Sequence, residues 1–420
     1  MFDQDNWQEI VSTLKRNKLR SLMTAFGVFW GLLMLIVMLG SGSGLEHGVS
    51  KRFNDRATNS TYLWTRKTSK PYLGFPRGRR FQFENDDIQS LRHKIPEIEY
   101  LAPRNSLGGH QGANNVVRNG KVGAFTIYGD YPDVQHIQLL TMTKGRFINE
   151  LDLAEKRKVA VIGTRVYKIL FDKGEDPIGK YIQVKGIFFR VIGVFKTNRS
   201  GDDEEEHTQT VFIPFSSFQQ AFNYGNRIGW FAITSIKGVP VSEVEKKAIA
   251  LLARNHQIAP DDQQAFGFWN AEKEYNKING VFFGINALVW FVGVSTLLAG
   301  VIGVSNIMLI VVKERTREIG IRRAVGATPF SIISQILLET ICLTSIAGYF
   351  GLVLGVAGIE LLASLIARGQ IKMDMFDKPQ VDFQMACIAL LVLIFSGALA
   401  GLIPAHKAVS IKPVEAIHTE

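Results

Sequence analysis

Cysteine is almost missing from this chain: there are two in 420 residues, Cys342 and Cys387, both inside apolar runs. No CxxC or Cys/His spacing accompanies them, which argues against a metal site and against a disulfide staple for an exported domain. They read as small apolar groups. Catalytic spacing is missing too: no Ser/His/Asp set and no paired carboxylates stand out, and the eight histidines are scattered. Charge is missing from four long stretches and gathers in segment 46–280, which holds 34 basic and 26 acidic residues. That unevenness excludes a single soluble enzyme, and a hydrophobic content of 46% excludes a mostly disordered chain. Most of the chain's net charge of +10 is spread through that segment among many apolar runs, so a nucleic-acid partner is not expected.

What is present first is length without charge. A membrane-crossing helix needs about 20 mostly apolar residues. Residues 21–45 contain none of the charged types until Glu46, and residues 281–312 are uncharged throughout. A third run, 340–359, extends back through 330–338 with Glu339 between, and 383–405 is the fourth. The first run is too long for the apolar core of a usual signal peptide, so an uncleaved anchor is expected. Lys15, Arg16, Lys18 and Arg20 precede it, Lys313, Arg315, Arg317, Arg322 and Arg323 separate the second and third, and Lys407 and Lys412 follow the fourth. Only Arg368, Lys372 and Lys378 lie in the short loop 368–382. By the positive-inside rule both termini are cytoplasmic, and segment 46–280 is outside. The expected fold class is therefore a membrane protein: four transmembrane α-helices, with a large α+β extracytoplasmic domain inserted between helices 1 and 2.

The cytoplasmic start, residues 1–20, spaces Trp7, Ile10, Val11 and Leu14 along one helical face with a basic opposite face. This predicts an interfacial helix on anionic membrane lipid, or else an extension of the first span.

The external segment mixes strand and helix patterns. Asn85-Asp86-Asp87 opens a helix ended by Pro96, Asn119-Gly120 and Lys185-Gly186 read as hairpin turns, and Lys158–Gly163 as a buried strand. Ser242 and Glu245 form the spacing of a capping box. Residues Gly174 to Lys180 nearly match a phosphate-binding loop, but Tyr181 stands where a Ser or Thr would ligate Mg²⁺, so the match is rejected in favour of a turn. The run Asp202–Glu206 with His207 reads as a solvated loop tip.

The densest pattern is KERTREIGIRRAVGATP, residues 313–329. Glu314/Glu318, Glu318/Arg322 and Ile321/Val325 stand four apart, Gly326 suits a left-handed closing residue, and Thr328-Pro329 opens the next helix. A short, rigid helical elbow over 313–328 is expected, exposing Arg and Glu for docking. Glu339 is the one acid well inside an expected span, either an intramembrane functional acid or a residue near the interface.

The motif ERTREIGIRRAVGAT resembles the signature of permease subunits of MacB/FtsX-type ABC transporters. NKLRSLMTAFGVFWG, GRFINELD…KVAVIG, DPIGKYIQVKGIFFRVIGVF and GLIPAHKAVSIKPVEAI are similar to other parts of that family, in order, so the resemblance covers nearly the whole chain. It implies a permease subunit in a bacterial inner membrane, coupling ATP hydrolysis to a periplasmic conformational change that exports or extracts a drug, peptide, lipoprotein or lipid. The alternative is a non-transporting subunit that regulates a cell-wall hydrolase or a sensor kinase. No nucleotide-binding domain lies within these residues, so the resemblance implies an ABC ATPase on a separate chain, which would bind ATP and Mg, with no enzyme activity, metal or cofactor on this one. It places Glu314, Arg315, Arg317, Glu318, Ile319, Gly320, Arg322 and Arg323 on or near a coupling helix. It also implies a second permease subunit, a copy or a paralogue, together with a periplasmic adaptor and an outer-membrane channel. Close helix packing requires small residues, supplied at Gly27/Gly31, Ala299/Gly303, Gly351/Gly355 and Gly397/Gly401.

Overall fold

A computed structural model describes residues 18–51, 56–107, 115–197, 202–368, 376 and 379–410. Most of the expected interfacial helix, much of loop 368–382 and the end of the tail lie outside the described residues. The chain divides into two compact units, one made of residues up to Val49 with those from Gly280 onward, the other of Ser50–Asn279.

The first unit is built on four long helices: Lys18–Lys51, Ala271–Glu314, Pro329–Ala367 and Phe383–Val409. Each is long and apolar enough to cross a membrane. The helices outrun the uncharged windows, because hydrogen-bonded helix continues past the point where charge begins. The second starts at Ala271, ahead of the uncharged run, and its 44 residues reach about 66 Å at 1.5 Å each. Val28, Leu32, Leu35, Ile36 and Leu39 of the first helix are buried in one apolar cluster with Leu297, Val304, Ile336 and Leu393 of the other three.

The second unit is built on one continuous mixed sheet. Its strands are β1 (Ser60–Thr65), β2 (Phe83–Glu84), β3 (Ile98–Leu107), β4 (Val116–Arg118), β5 (Lys121–Gly123), β6 (Thr126–Asp130) and β7 (Thr141–Gly145), followed by β8 (Val159–Gly163), β9 (Tyr181–Val184), β10 (Ile187–Lys196), β11 (Thr210–Pro214), β12 (Arg227–Ile228), β13 (Trp230–Ser235) and β14 (Phe266–Asn270). The order across the main sheet is β14-β1-β13-β3-β6-β11-β8-β10-β9-β4-β5, with β7 on β10 and a separate β12-β2 pair. β3 is long enough to pair β13 with its first part and β6 with its last, which joins the halves. Strand β8, VAVIG, is buried at every position, as a strand covered on both faces must be. Asn119-Gly120 and Lys185-Gly186 turn the hairpins β4-β5 and β9-β10 with positive φ at both residues, the geometry that matches strand twist.

Buried charge in this unit is paired. Arg104 donates from Nε and Nη2 to the two carboxylate oxygens of Asp130 at 2.7 and 2.8 Å, with both side chains almost fully buried. Burial works against the guanidinium's charge, and Asp130 outweighs it, so the Arg104 pKa is raised. Asp152 accepts from Arg146 at 2.6 and 3.1 Å and caps the helix Glu150–Ala154 together with Asn149.

Two expectations are corrected here. Ser242 and Glu245 do not form a capping box: the helix Val241–Asn255 follows Pro240, and Glu245 turns inward to accept from Thr61 Oγ1, Asn270 Nδ2 and Lys273 Nζ at 2.8, 2.8 and 2.9 Å. The acidic run is not a loop tip but the helix Asp202–Thr208, where the Thr208 hydroxyl donates to the Glu204 carbonyl at 2.7 Å.

Candidate functional site: the elbow between the second and third long helices

The elbow forms because the long helix stops at Glu314 and a new one, Thr316–Ala324, starts after Arg315, whose φ of −93° and ψ of 12° depart from helix. Gly326, with φ of +110°, closes the short helix in a conformation that L side chains rarely adopt. Thr328 Oγ1 then accepts from Ser331 N at 3.3 Å, with Pro329 in the first turn of the third long helix. Glu314 therefore ends the preceding helix and is not part of the elbow helix itself.

Three arginines tie the elbow to the long helices. Arg315 Nη1 lies 3.5 Å from Glu339 Oε2. Arg322 forks, donating to Gln335 Oε1 and to Glu318 Oε1 at 3.0 Å each. Arg323 Nη1 donates at 2.6 Å to the carbonyl of Val409, at the C-terminal end of the fourth long helix, where the exposed carbonyls favour a cation. Ile319 and Gly320 face inward. Between elbow and third helix lies a cavity of about 30 Å³, lined among others by Ile319, Arg322, Gln335 and Glu339. That is room for a water or two.

The outward face is the complement of these anchors. Arg317 and Glu318 are exposed, and Ile321, Val325 and Phe330 are 48%, 85% and 68% exposed. The eight residues assigned to coupling from sequence thus divide into anchors (Arg315, Ile319, Gly320, Arg322, Arg323) and a face that presents Glu314, Arg317 and Glu318. Sequence reasoning assigned no docking role to the apolar trio or to Gln335. The one signal for Gln335 was its position four residues before Glu339, which puts both on one side of the third helix. Glu339 itself is 6% exposed and ten residues into its helix, held against the elbow by Arg315.

The small residues separate in the same manner. A Cβ on Gly300 would lie 3.2 Å from the Gly27 carbonyl carbon, so Gly300, not Ala299 or Gly303, is what meets Gly27. A Cβ on Gly351 would fall 2.7 Å from the Phe29 carbonyl oxygen, and one on Gly397 2.3 Å from Thr344 Oγ1. Gly355 packs on Ile36, Gly401 on Thr340 and Leu337, and Gly31 on Leu297. These pairs bring the four helices of one chain together. Ala299 and Gly303 face outward beside exposed Ile302, with nothing within 4 Å of a Cβ at Gly303.

Residues 21–251 match the MacB-like periplasmic core domain, and residues 290–413 match the FtsX-like permease C-terminal domain. The chain is 27% identical over 409 residues to a macrolide export ATP-binding/permease protein MacB from Bdellovibrio bacteriovorus, covering 97% of this chain and 60% of that protein. It is 29% identical over 407 residues to a pyoverdine export ATP-binding/permease protein PvdT from Pseudomonas putida, covering 96% of this chain and 58% of that one. The chain thus spans about six-tenths of the length of these curated relatives. A crystal structure of the periplasmic region of MacB from Actinobacillus actinomycetemcomitans aligns with a TM-score of 0.43 at 21% identity, covering 54% of this chain and 95% of that one.

Proposed function

Since the chain belongs to the MacB/FtsX family of ABC-transporter permeases, we propose that it passes the motion of a separate ABC ATPase to its external domain and so drives export or extraction of a substrate. It is a multi-pass inner-membrane protein with a periplasmic domain. The ATPase docks from the cytoplasm on the outward face of the elbow, where Arg317 and Glu318 flank an apolar knob of Ile321, Val325 and Phe330. Both termini lie on that side. A second permease subunit packs on the outward small-residue face at Ala299 and Gly303. This chain carries no catalytic group in the reading; its work is mechanical.

The observation that supports the reading is the three-arginine attachment. A push on a helix joined to its neighbours by flexible loops would be absorbed locally. A push on a helix bonded to Gln335, Glu339 and the Val409 carbonyl moves the third and fourth long helices with it. Residues 21–45, 281–312 and 383–405 carry no charged side chain, which favours transmission over conduction of a hydrophilic substrate.

Native purification identifies the ATPase that accompanies the chain. With that complex, Glu318→Arg and Arg322→Glu should each abolish substrate-stimulated ATP hydrolysis while membrane insertion is retained. Unchanged stimulated hydrolysis in both variants removes docking from the elbow.

A further inference from the structure

We infer that Glu245 is a positioning residue for coupling: its buried carboxylate fixes the start of the second long helix to the sheet and to the helix Val241–Asn255, so that movement of the long helix enters the external domain through one joint. The joint's purpose rests on the coupling reading; its existence does not. All the groups that form it belong to the Ser50–Asn279 unit.

The long helix leaves the sheet without a linker. Asn270 ends β14, and Ala271 opens the helix Ala271–Glu314. The first N–H groups of any helix need acceptors from outside it. Asn270 supplies one, its Oδ1 accepting from Lys273 N at 2.9 Å. The other end of the same amide faces the domain: Nδ2 donates at 2.8 Å to Glu245 Oε2 and at 3.2 Å to Ser242 Oγ. A longer link runs beside it, from Ser242 N to Glu272 Oε2 at 3.4 Å. The cap of the long helix is therefore also a fastening to the helix Val241–Asn255.

Glu245 gathers three elements. Thr61 Oγ1 of β1 and Asn270 Nδ2 at the end of β14 each donate to its Oε2 at 2.8 Å, and Lys273 Nζ in the first turn of the long helix donates to its Oε1 at 2.9 Å. Thr61 stands on the face of β1 that the helix Val241–Asn255 covers. The opposite face of β1, β13 and β14 carries Tyr62, Trp64, Trp230 and Trp269 as a shared aromatic floor. Glu245 is 2% exposed, and a carboxylate so buried keeps its charge where donors surround it. Lys273 is the telling member. A cation in the first turn of a helix opposes the macrodipole, so its place there serves the link to Glu245 and not the helix. From Glu245 the connection runs on through Val244, Ala248 and Leu252, buried in one cluster with Leu63, Phe231 and Ile233 of the sheet.

The test uses the native complex with its ATPase in phosphatidylcholine nanodiscs, followed by amide hydrogen exchange with and without a non-hydrolysable ATP analogue. Without nucleotide, Glu245→Gln should speed exchange at residues 273–279 about fivefold or more, while the amides of β13 keep the parent's rates. With nucleotide, the parent should show a change of at least about twofold in the helix Val241–Asn255, and both Glu245→Gln and Lys273→Met should lose it. Lys273→Arg should keep the response, as should Lys277→Met, whose partner Glu274 lies on the exposed part of the same helix. A brace that only stabilises the fold gives the first result without the second, so a response retained in Glu245→Gln and Lys273→Met overturns the inference. Parent-like exchange at 273–279 in Glu245→Gln overturns it too, whatever the ATPase does. Should Glu245→Gln loosen the whole domain, Lys273→Met at its half-exposed side chain decides alone. No nucleotide response in the parent's external domain, with 273–279 still loosened by Glu245→Gln, overturns the coupling reading and the joint's role together, which tells the two failures apart.

Discussion

The membrane unit and the external domain solve opposite packing problems. In the external domain water drives burial, and large side chains fill three apolar clusters around the sheet, with buried charges answered by a partner. In the membrane unit apolar side chains gain nothing by leaving apolar lipid, so close contact rests on small residues. The first, third and fourth long helices approach where glycine leaves space, at Gly351 against Phe29 and Gly397 against Thr344. Polar attachment is concentrated at one end, in the elbow. The difference teaches where each unit is vulnerable: the external domain to the loss of a partner, the membrane unit to the gain of a methyl group.

Four experiments press on that contrast. The largest effect is expected at Arg104. Its replacement by alanine leaves Asp130 buried without its bidentate donor and should cost about 3–5 kcal/mol in thermal unfolding, whereas Arg104→Met with Asp130→Leu should recover much of the loss. A single-variant cost within experimental error would show that the pair is not what holds β3 to β6. Next comes Gly351→Val, which forces carbon against the Phe29 carbonyl and should cost about 1–3 kcal/mol or prevent accumulation. Gly303→Val, with open space at its Cβ, should change stability by no more than about 0.5 kcal/mol but loosen any permease dimer, read by native mass.

The third experiment uses pH. Burial alone would raise the Asp152 pKa, but the Arg146 guanidinium, the Asn149 N–H and the nearby Arg157 outweigh it and hold it below the usual aspartate range. A lowered carboxylate contributes stability that is present above its unfolded pKa and lost as pH falls through the folded one. Melting of the full chain in detergent should therefore fall below about pH 4, and Asp152→Asn should flatten that part of the profile. An unchanged profile means other carboxylates set it. The smallest effect is at Glu318: removing its exposed pair with Arg322 by Glu318→Ala should cost about 0.3–0.5 kcal/mol, which keeps stability out of any coupling defect.

The parts legible in the sequence are local. Asn119-Gly120 and Lys185-Gly186 announce hairpins because the residues that tolerate positive φ are few. Thr328-Pro329 and Gly326 announce helix ends for the same kind of reason. Glu245 misleads because a capping box and a buried carboxylate share the spacing S-x-x-E; its partners Thr61, Asn270 and Lys273 are brought to it by the sheet. The shared aromatic floor was missed because Tyr62 and Trp64 lie more than 160 positions from Trp230 and Trp269 in the chain. Their one advance sign was the alternation Tyr62-x-Trp64, which puts two rings on one side of a strand.

Chain chemistry alone settles that four helices are long and apolar enough to span a bilayer and that an elbow breaks the path between the second and third, since length, charge and turn residues act over a few positions. Tertiary packing alone settles that Gly300 rather than Gly303 meets Gly27, that Arg322 and Arg323 are anchors while Arg317 faces out, and that three indoles share a floor. Those outcomes depend on which distant group lies opposite, and no neighbour in sequence carries that information.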